Sequence, residues 1–212
     1  MADLLPLFPL PRVVLFPSVF LPLHIFEPRY RDMVADALAS DRMIGMVLSR
    51  LGGPGSPGTS DVPAIYSVGC SGVITHVEQL ADGRYNIVLR GMERFRILEE
   101  DRTRSYRRAI VEPLPERELG PEDRARVRQH RSKIEALLAA PGEARGAEGR
   151  TTAAMGDEDL VNALAQYLDL DPLEKQALLE RHCLRSRAEA LVELLEMRFL
   201  LARTPGLSRA AH

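Results

Sequence analysis

Only two of the 28 basic residues in this 212-residue chain, Lys133 and Lys175, are lysines. Chemistry that needs a lysine amine, as a phosphate clamp or as the base beside a nucleophilic serine, therefore has two candidates. A nucleotide-binding loop ends in Gly-Lys-Ser/Thr, so that backbone amides and the lysine hold the phosphates together. Lys133 instead stands between Ser132 and Ile134, and Lys175 between Glu174 and Gln176. The Gly-rich stretch 52–60 contains no lysine at all. Ser132 and Lys133 are neighbours on one helix and project in different directions, so they form no Ser–Lys dyad.

The other reactive residues are equally scattered. Cys70 and His76 could share a strand face, but six residues of extended chain hold them roughly 20 Å apart. His182 and Cys183 are adjacent and diverge on a helix or at its end. The five histidines, at 24, 76, 130, 182 and 212, include no His-x-x-x-His, and no Cys-x-x-Cys occurs, so no metal site is expected. Asp157-Glu158-Asp159 reads as the acidic first turn of a helix, where the macrodipole favours negative charge. No catalytic residue, metal or cofactor is expected, and the chain does not read as an enzyme. Two cysteines cannot build a disulfide framework, which makes a cytoplasmic protein the expectation. The most apolar stretch, Val13 to Leu23, is broken by Pro17 and Pro22 and is too short to span a membrane.

The elements that must position these residues change character along the chain. With 45% hydrophobic and 27% charged residues, the composition is globular. The first 28 residues carry six prolines between short runs of Val, Leu, Ile and Phe. Proline removes a ladder donor, so Leu4 to Leu10 and Val13 to Phe16 read as short edge or bulged strands. Pro28 opens a helix whose apolar face is Tyr30, Met33, Val34, Ala37 and Leu38. Met43 to Leu48, Val68 to Val77, Arg84 to Arg90, Phe95 to Leu98 and Arg108 to Pro113 read as strands, with Asp82-Gly83 as a hairpin turn. The 1–115 portion thus spells about seven strands and one helix, as a mostly-β barrel or a curled sheet. The segment 52–60 is a mobile loop by composition.

Beyond Pro115 the period becomes helical. One helix begins near Pro121, a flexible interruption covers 140–156, and helices follow at Leu160 to Leu168, Pro172 to His182 and Ser186 to about Arg203. Asp171 with Glu174, and Ser186 with Glu189, have capping-box spacing. The expected organisation is α+β: a β domain over 1–115 and an all-helical domain over 116–212. Residues 1–115 carry 13 bases and 13 acids, and 116–212 carry 15 and 17, so neither portion is a basic domain.

The most distinctive segment is Phe26-Glu27-Pro28-Arg29-Tyr30, which by itself reads as a strand-to-helix joint. Together with Leu5-Pro6-Leu7-Phe8-Pro9-Leu10, Val14-Leu15-Phe16-Pro17, Leu21-Pro22-Leu23-His24-Ile25, Tyr66-Ser67-Val68-Gly69-Cys70, Asp82-Gly83-Arg84-Tyr85 and Arg90-Gly91-Met92-Glu93-Arg94-Phe95-Arg96, it resembles the amino-terminal domain of Lon ATP-dependent proteases. The resemblance is to stand-alone Lon-N-terminal-like proteins of bacteria. It implies a PUA-like mostly-β pseudo-barrel with one packed helix, followed by an all-helical bundle. It also implies recognition of protein substrates without the ATPase and protease domains. The matching residues Phe26, Glu27, Pro28, Arg29, Tyr30, Gly69, Gly91, Arg94 and Phe95 are expected mainly to define the fold. One specific expectation is an Arg94–Glu27 pair fastening a hairpin to the helix entry.

The expected partner is an exposed or unfolded polypeptide segment, held by the surplus apolar residues Leu7, Phe8, Phe16, Phe20, Leu194 and Phe199. The last helix, apolar over much of its circumference, is either the buried centre of a bundle or a surface for self-association. The alternative function is a PUA-like RNA reader using Arg90, Arg94, Arg96, Arg102, Arg104, Arg107 and Arg108. Against it, Glu93, Glu99, Glu100 and Asp101 interleave with those arginines, as on a salt-bridged face, and nucleic acid is not the expected partner.

Overall fold

The computed structural model describes residues 4–50, 64–138 and 155–203. The loop read at 52–60 and the interruption read at 140–156, apart from Met155 and Gly156, lie outside the described residues. Two compact units emerge: residues 1–115 together with 166–180, and residues 116–165 together with 181–212. The segment 166–180 therefore belongs to the sheet unit although it lies in the helical part of the sequence.

The sheet unit contains β1 (Leu5–Leu10), β2 (Phe20–Ile25), α1 (Pro28–Leu38), β3 (Met43–Leu48), β4 (Val68–Gln79), β5 (Tyr85–Asp101) and β6 (Arg107–Leu114). The strand order is β2-β5-β4-β3-β1-β6, and β5 pairs with β6 as well. The β1–β3 pair is parallel and the others antiparallel. Leu7, Val47, Phe95 and Ala109 meet in a core cluster, with Leu5, Ile65, Ile97 and Val111 packed on it. The helix α1 buries Tyr30, Met33, Val34 and Ala37, as its apolar period requires, and the Tyr30 ring lies 4.5 Å from that of Phe8.

Two departures from the strand reading have clear causes. Arg84 to Arg90 and Phe95 to Leu98 are not separate strands. They form one 17-residue β5, because its first half pairs with β2 and β4 and its second half with β4 and β6. Val13 to Phe16, read as a strand, is half-buried at Val13 and buried from Val14 on, but joins no ladder. The backbone around Phe16 is satisfied another way: its amide donates to Gln166 Oε1 at 3.2 Å. The following turn is tied to β5 by Ser18 N–H to Gly91 O (2.9 Å) and Gly91 N–H to Val19 O (2.8 Å). Six strands result.

The 166–180 segment holds α4 (Pro172–Leu179). Its Gln176 Nε2 donates to Val68 O at 3.0 Å, so a side-chain amide substitutes for a missing backbone partner beside β4. The Asp171–Glu174 capping box is formed: Leu173 N–H donates to Asp171 Oδ1 and Asp171 N–H to Glu174 Oε2, both at 2.8 Å. Replacing Asp171 by alanine is expected to cost about 1 kcal/mol, the usual worth of an N-cap, as a lowered midpoint in urea unfolding.

The second unit holds α2 (Pro121–Leu138), α3 (Asp157–Tyr167) as far as Ala165, and α5 (Leu184–Arg203). The helix α5 starts two residues before Ser186, so the Ser186–Glu189 capping box does not form. Ser186 Oγ instead reaches back to donate to Cys183 O at 2.9 Å. Lys133 Nζ on α2 pairs with Glu196 on α5 at 2.8 Å, and Arg185 with Asp123 at 3.3 Å. No helix among the described residues is long and apolar enough to cross a membrane.

Candidate functional site

Among the described residues the strand β2 pairs with β5 alone, and so carries the open edge nearest the Phe26–Tyr30 segment. An antiparallel residue sends its N–H and C=O to the same side. Phe20 O accepts the Tyr167 hydroxyl at 2.8 Å, away from β5. The same parity turns Pro22 and His24 outward. Proline has no N–H to offer there, so the edge is a poor template for an added strand. What this edge offers to solvent is therefore side chains rather than a backbone ladder. Phe20 is 50% exposed and Phe26 61%, both far above the burial of an ordinary core phenylalanine.

Polar residues hold this edge in register. His24 Nδ1 lies 2.7 Å from Asn86 Oδ1, and Asn86 Nδ2 donates to Glu78 at 2.8 Å. Arg84 Nη1 lies 3.2 Å from His24 Nε2. A guanidinium can only donate, so Nε2 accepts and the imidazole proton sits on Nδ1. The His24 ring stacks beside Phe26 with centroids 6.2 Å apart.

The candidate binding residues separate sharply. Leu7, Phe8 and Phe16 are buried in the sheet unit and have little surface to offer; Leu7 and Phe8 lie in β1, which runs through Pro6 and Pro9 between β3 and β6. Phe20 is the one of the N-terminal group that reaches water. On α5, Leu194 and Phe199 are half-buried, while Leu191, Val192 and Leu195 are buried and Met197 and Leu201 are exposed.

Pro28 is at the first turn of α1 and Glu27 is its N-cap residue. Glu27 accepts from Arg29 Nη2 at 2.7 Å, and the Arg29 guanidinium lies 4.6 Å from the Tyr30 ring centroid. The anticipated Arg94–Glu27 pair is absent. Arg94 is buried and its Nη1 donates to Leu179 O at 3.2 Å, where a cation suits the carbonyl end of α4. Phe95 is core. Gly69 and Gly91 lie where a Cβ would press into the backbone oxygens of Met46 and Phe16 respectively.

The lysines, Ser132 and the cysteines are not drawn together into one site. Ser132 Oγ donates to Arg128 O at 3.2 Å while Lys133 pairs with Glu196. Lys175 Nζ donates to Gln166 O at 2.6 Å. Cys70 and Cys183 are both buried free thiols. Among the described residues no group of three His, Cys, Asp or Glu side chains converges as a metal would require.

One grouping escaped the sequence. Arg102, Arg104 and Arg107 converge with Arg29 and Arg50 on a single cleft, although more than 50 residues separate Arg50 from Arg102. The other arginines of that run go elsewhere: Arg96 pairs with Glu112 and Arg108 with Asp101.

Residues 4–197 match the family model of the ATP-dependent protease La (LON) substrate-binding domain. The chain belongs to that Lon substrate-binding family. It is 27% identical over 199 residues to Lon protease 2 of Myxococcus xanthus and 25% identical over 194 residues to Lon protease of Anaeromyxobacter dehalogenans. The matches cover 91% and 90% of this chain and 23% of each relative, so the chain spans about a quarter of the length of these proteases. Among solved structures it is similar to a Lon N-terminal domain protein from Xanthomonas campestris, with a TM-score of 0.58 and 28% identity, covering 90% of this chain and 98% of that one. The N-terminal domain of a Mycobacterium avium complex Lon protease gives a TM-score of 0.63 at 20% identity, covering 92% and 98%. The mostly-sheet architecture with accompanying helices is therefore that of Lon N-terminal domains.

Proposed function

We propose that the chain is a non-enzymatic protein-recognition module that binds exposed or unfolded polypeptide segments, on a PUA-like pseudo-barrel followed by a helical bundle. The observation that carries this reading is the exposed pair Phe20 and Phe26, flanking a proline-blunted edge strand, in a chain of a substrate-binding family. Large aromatic side chains held in water by a rigid strand gain free energy when an apolar segment covers them. The two lysines are committed to Glu196 and to Gln166 O, which supports binding without catalysis. The two buried free thiols are in keeping with a cytoplasmic setting.

The double substitution Phe20→Ser and Phe26→Ser should weaken binding of a permanently unfolded model protein by about tenfold or more, the worth of one to two buried phenylalanines. Fluorescence anisotropy would measure the affinity, and an unchanged thermal midpoint would show that the fold is intact. Undiminished affinity in the double variant, or no binding by the unaltered chain, would remove this reading.

A further inference from the structure

Five arginines from distant parts of the sequence face one cleft of about 420 Å³ in the sheet unit. Arg29 comes from the first turn of α1, Arg50 from just past β3, Arg102 and Arg104 from the β5–β6 turn, and Arg107 from the start of β6. Pro9, Leu10, Tyr30 and Tyr106 supply apolar wall between them. Concentrating cations beside an apolar wall is costly unless anions accompany them, and most of these have one. Glu27 takes Arg29 at 2.7 Å, Glu100 is shared by Arg102 at 3.1 Å and Arg107 at 3.4 Å, and Asp36 takes Arg104 at 3.4 Å.

Asp36 also accepts the Tyr106 hydroxyl at 2.6 Å, and Asp32 accepts from Ser105 Oγ at 3.0 Å. Burial and then the Asp36 hydrogen bond push the Tyr106 phenol up to about 12. It therefore stays a donor to Asp36 at neutral pH. Arg50 is exposed, with its guanidinium 4.8 Å from the Tyr66 ring centroid. Among the described residues no carboxylate stands against it. Among the described residues the cleft is thus built from arginine–carboxylate pairs to three carboxylates, Glu27, Asp36 and Glu100, with none against Arg50.

We propose that this cleft receives an acidic side chain of a bound polypeptide, with the neighbouring apolar residue of that polypeptide against Pro9 and Leu10. The inference rests on the protein-recognition reading and names the class of segment preferred: apolar residues flanked by aspartate or glutamate. A single planar carboxylate matches the fork of one guanidinium and the small cationic excess. A polynucleotide would need a cation for each of several phosphates, and residues 1–115 carry equal numbers of acids and bases.

The test uses the full chain and two short labelled peptides, a Leu-Phe pair flanked by aspartates and the same peptide with asparagines. Anisotropy titrations at low salt should show the aspartate peptide binding about tenfold more tightly, the worth of one charge-assisted contact. Arg50→Gln combined with Arg102→Gln should bring the ratio close to one. Both side chains are exposed, so the fold is retained. Arg96→Gln, outside the cleft, should keep the full ratio. Equal affinity for the two peptides would overturn the cleft assignment and leave protein recognition standing, whereas binding of neither would overturn both. An equal loss of the ratio in Arg96→Gln would reduce the effect to general charge and also overturn the assignment. An oligoribonucleotide that binds more tightly than the aspartate peptide would overturn it in favour of nucleic acid.

Discussion

Replacing Arg187 by methionine is expected to destabilise the helical unit by about 3–5 kcal/mol, the cost of breaking a buried ion pair from one side. Arg187 has no exposed surface. Its Nη1 donates to Asn162 Oδ1 at 3.0 Å, and its Nη2 lies 3.0 Å from Glu116 Oε2. Methionine keeps much of the volume but takes the Arg187 guanidinium away from the Glu116 carboxylate, which is only 19% exposed. The second variant decides the cause. Arg187→Met together with Glu116→Leu removes both charges and should recover much of the loss, because an apolar pair of similar volume avoids the desolvation penalty. Urea unfolding of the single and double variants gives the comparison. A cost below about 1 kcal/mol for the single variant would show that the pair does little.

The second large effect is expected at Gly91. Gly91→Ala should lower stability by about 3 kcal/mol, at the upper end of overpacking changes. The added methyl would press on the carbonyl oxygen and carbon of Phe16 and lie 3.3 Å from Pro17 Cα. All three atoms are backbone, and hydrogen bonds from both Gly91 and Ser18 hold that turn against β5, so it cannot give way as a flexible side chain would. Gly120→Ala is the control. Nothing lies within 4 Å of the added methyl, and its midpoint should move by no more than about 0.5 kcal/mol. Similar midpoints for the two variants would refute the close approach at Gly91.

Much of the local architecture was legible. The α1 face follows from the spacing of Tyr30, Met33, Val34 and Ala37, and the start of α4 from Asp171, Pro172 and Glu174, because helix period and capping act within a few residues. Other local readings failed where distant partners intervened. Val13 to Phe16 has strand composition, yet its neighbourhood is set by Gln166 and Gly91. The break expected between Arg90 and Phe95 disappears because β2, β4 and β6 together supply partners along all of β5. Arg187, which the sequence reading did not single out, is fully buried. Its spacing of four from the buried Cys183 and Leu191 is the signal that could have placed it on that stripe.

The candidate site divides in the same way. The ordered series from Leu5 to Arg96 was enough to indicate the Lon N-terminal family, since many short matches in register are specific even when each is weak. The two lysines, in ordinary helical contexts, already spoke against a nucleotide loop or a Ser–Lys base, because such chemistry depends on neighbours in sequence. Exposure could not be read this way. Phe8, Phe16, Phe20 and Phe26 lie in similar proline-punctuated contexts, yet two are core and two face water, because which of them is covered depends on partners distant in sequence. The arginine cleft is also a product of tertiary structure: composition supplied arginines in place of lysines, and only the packing of α1 and the β5–β6 turn beside the end of β3 brought five of them together.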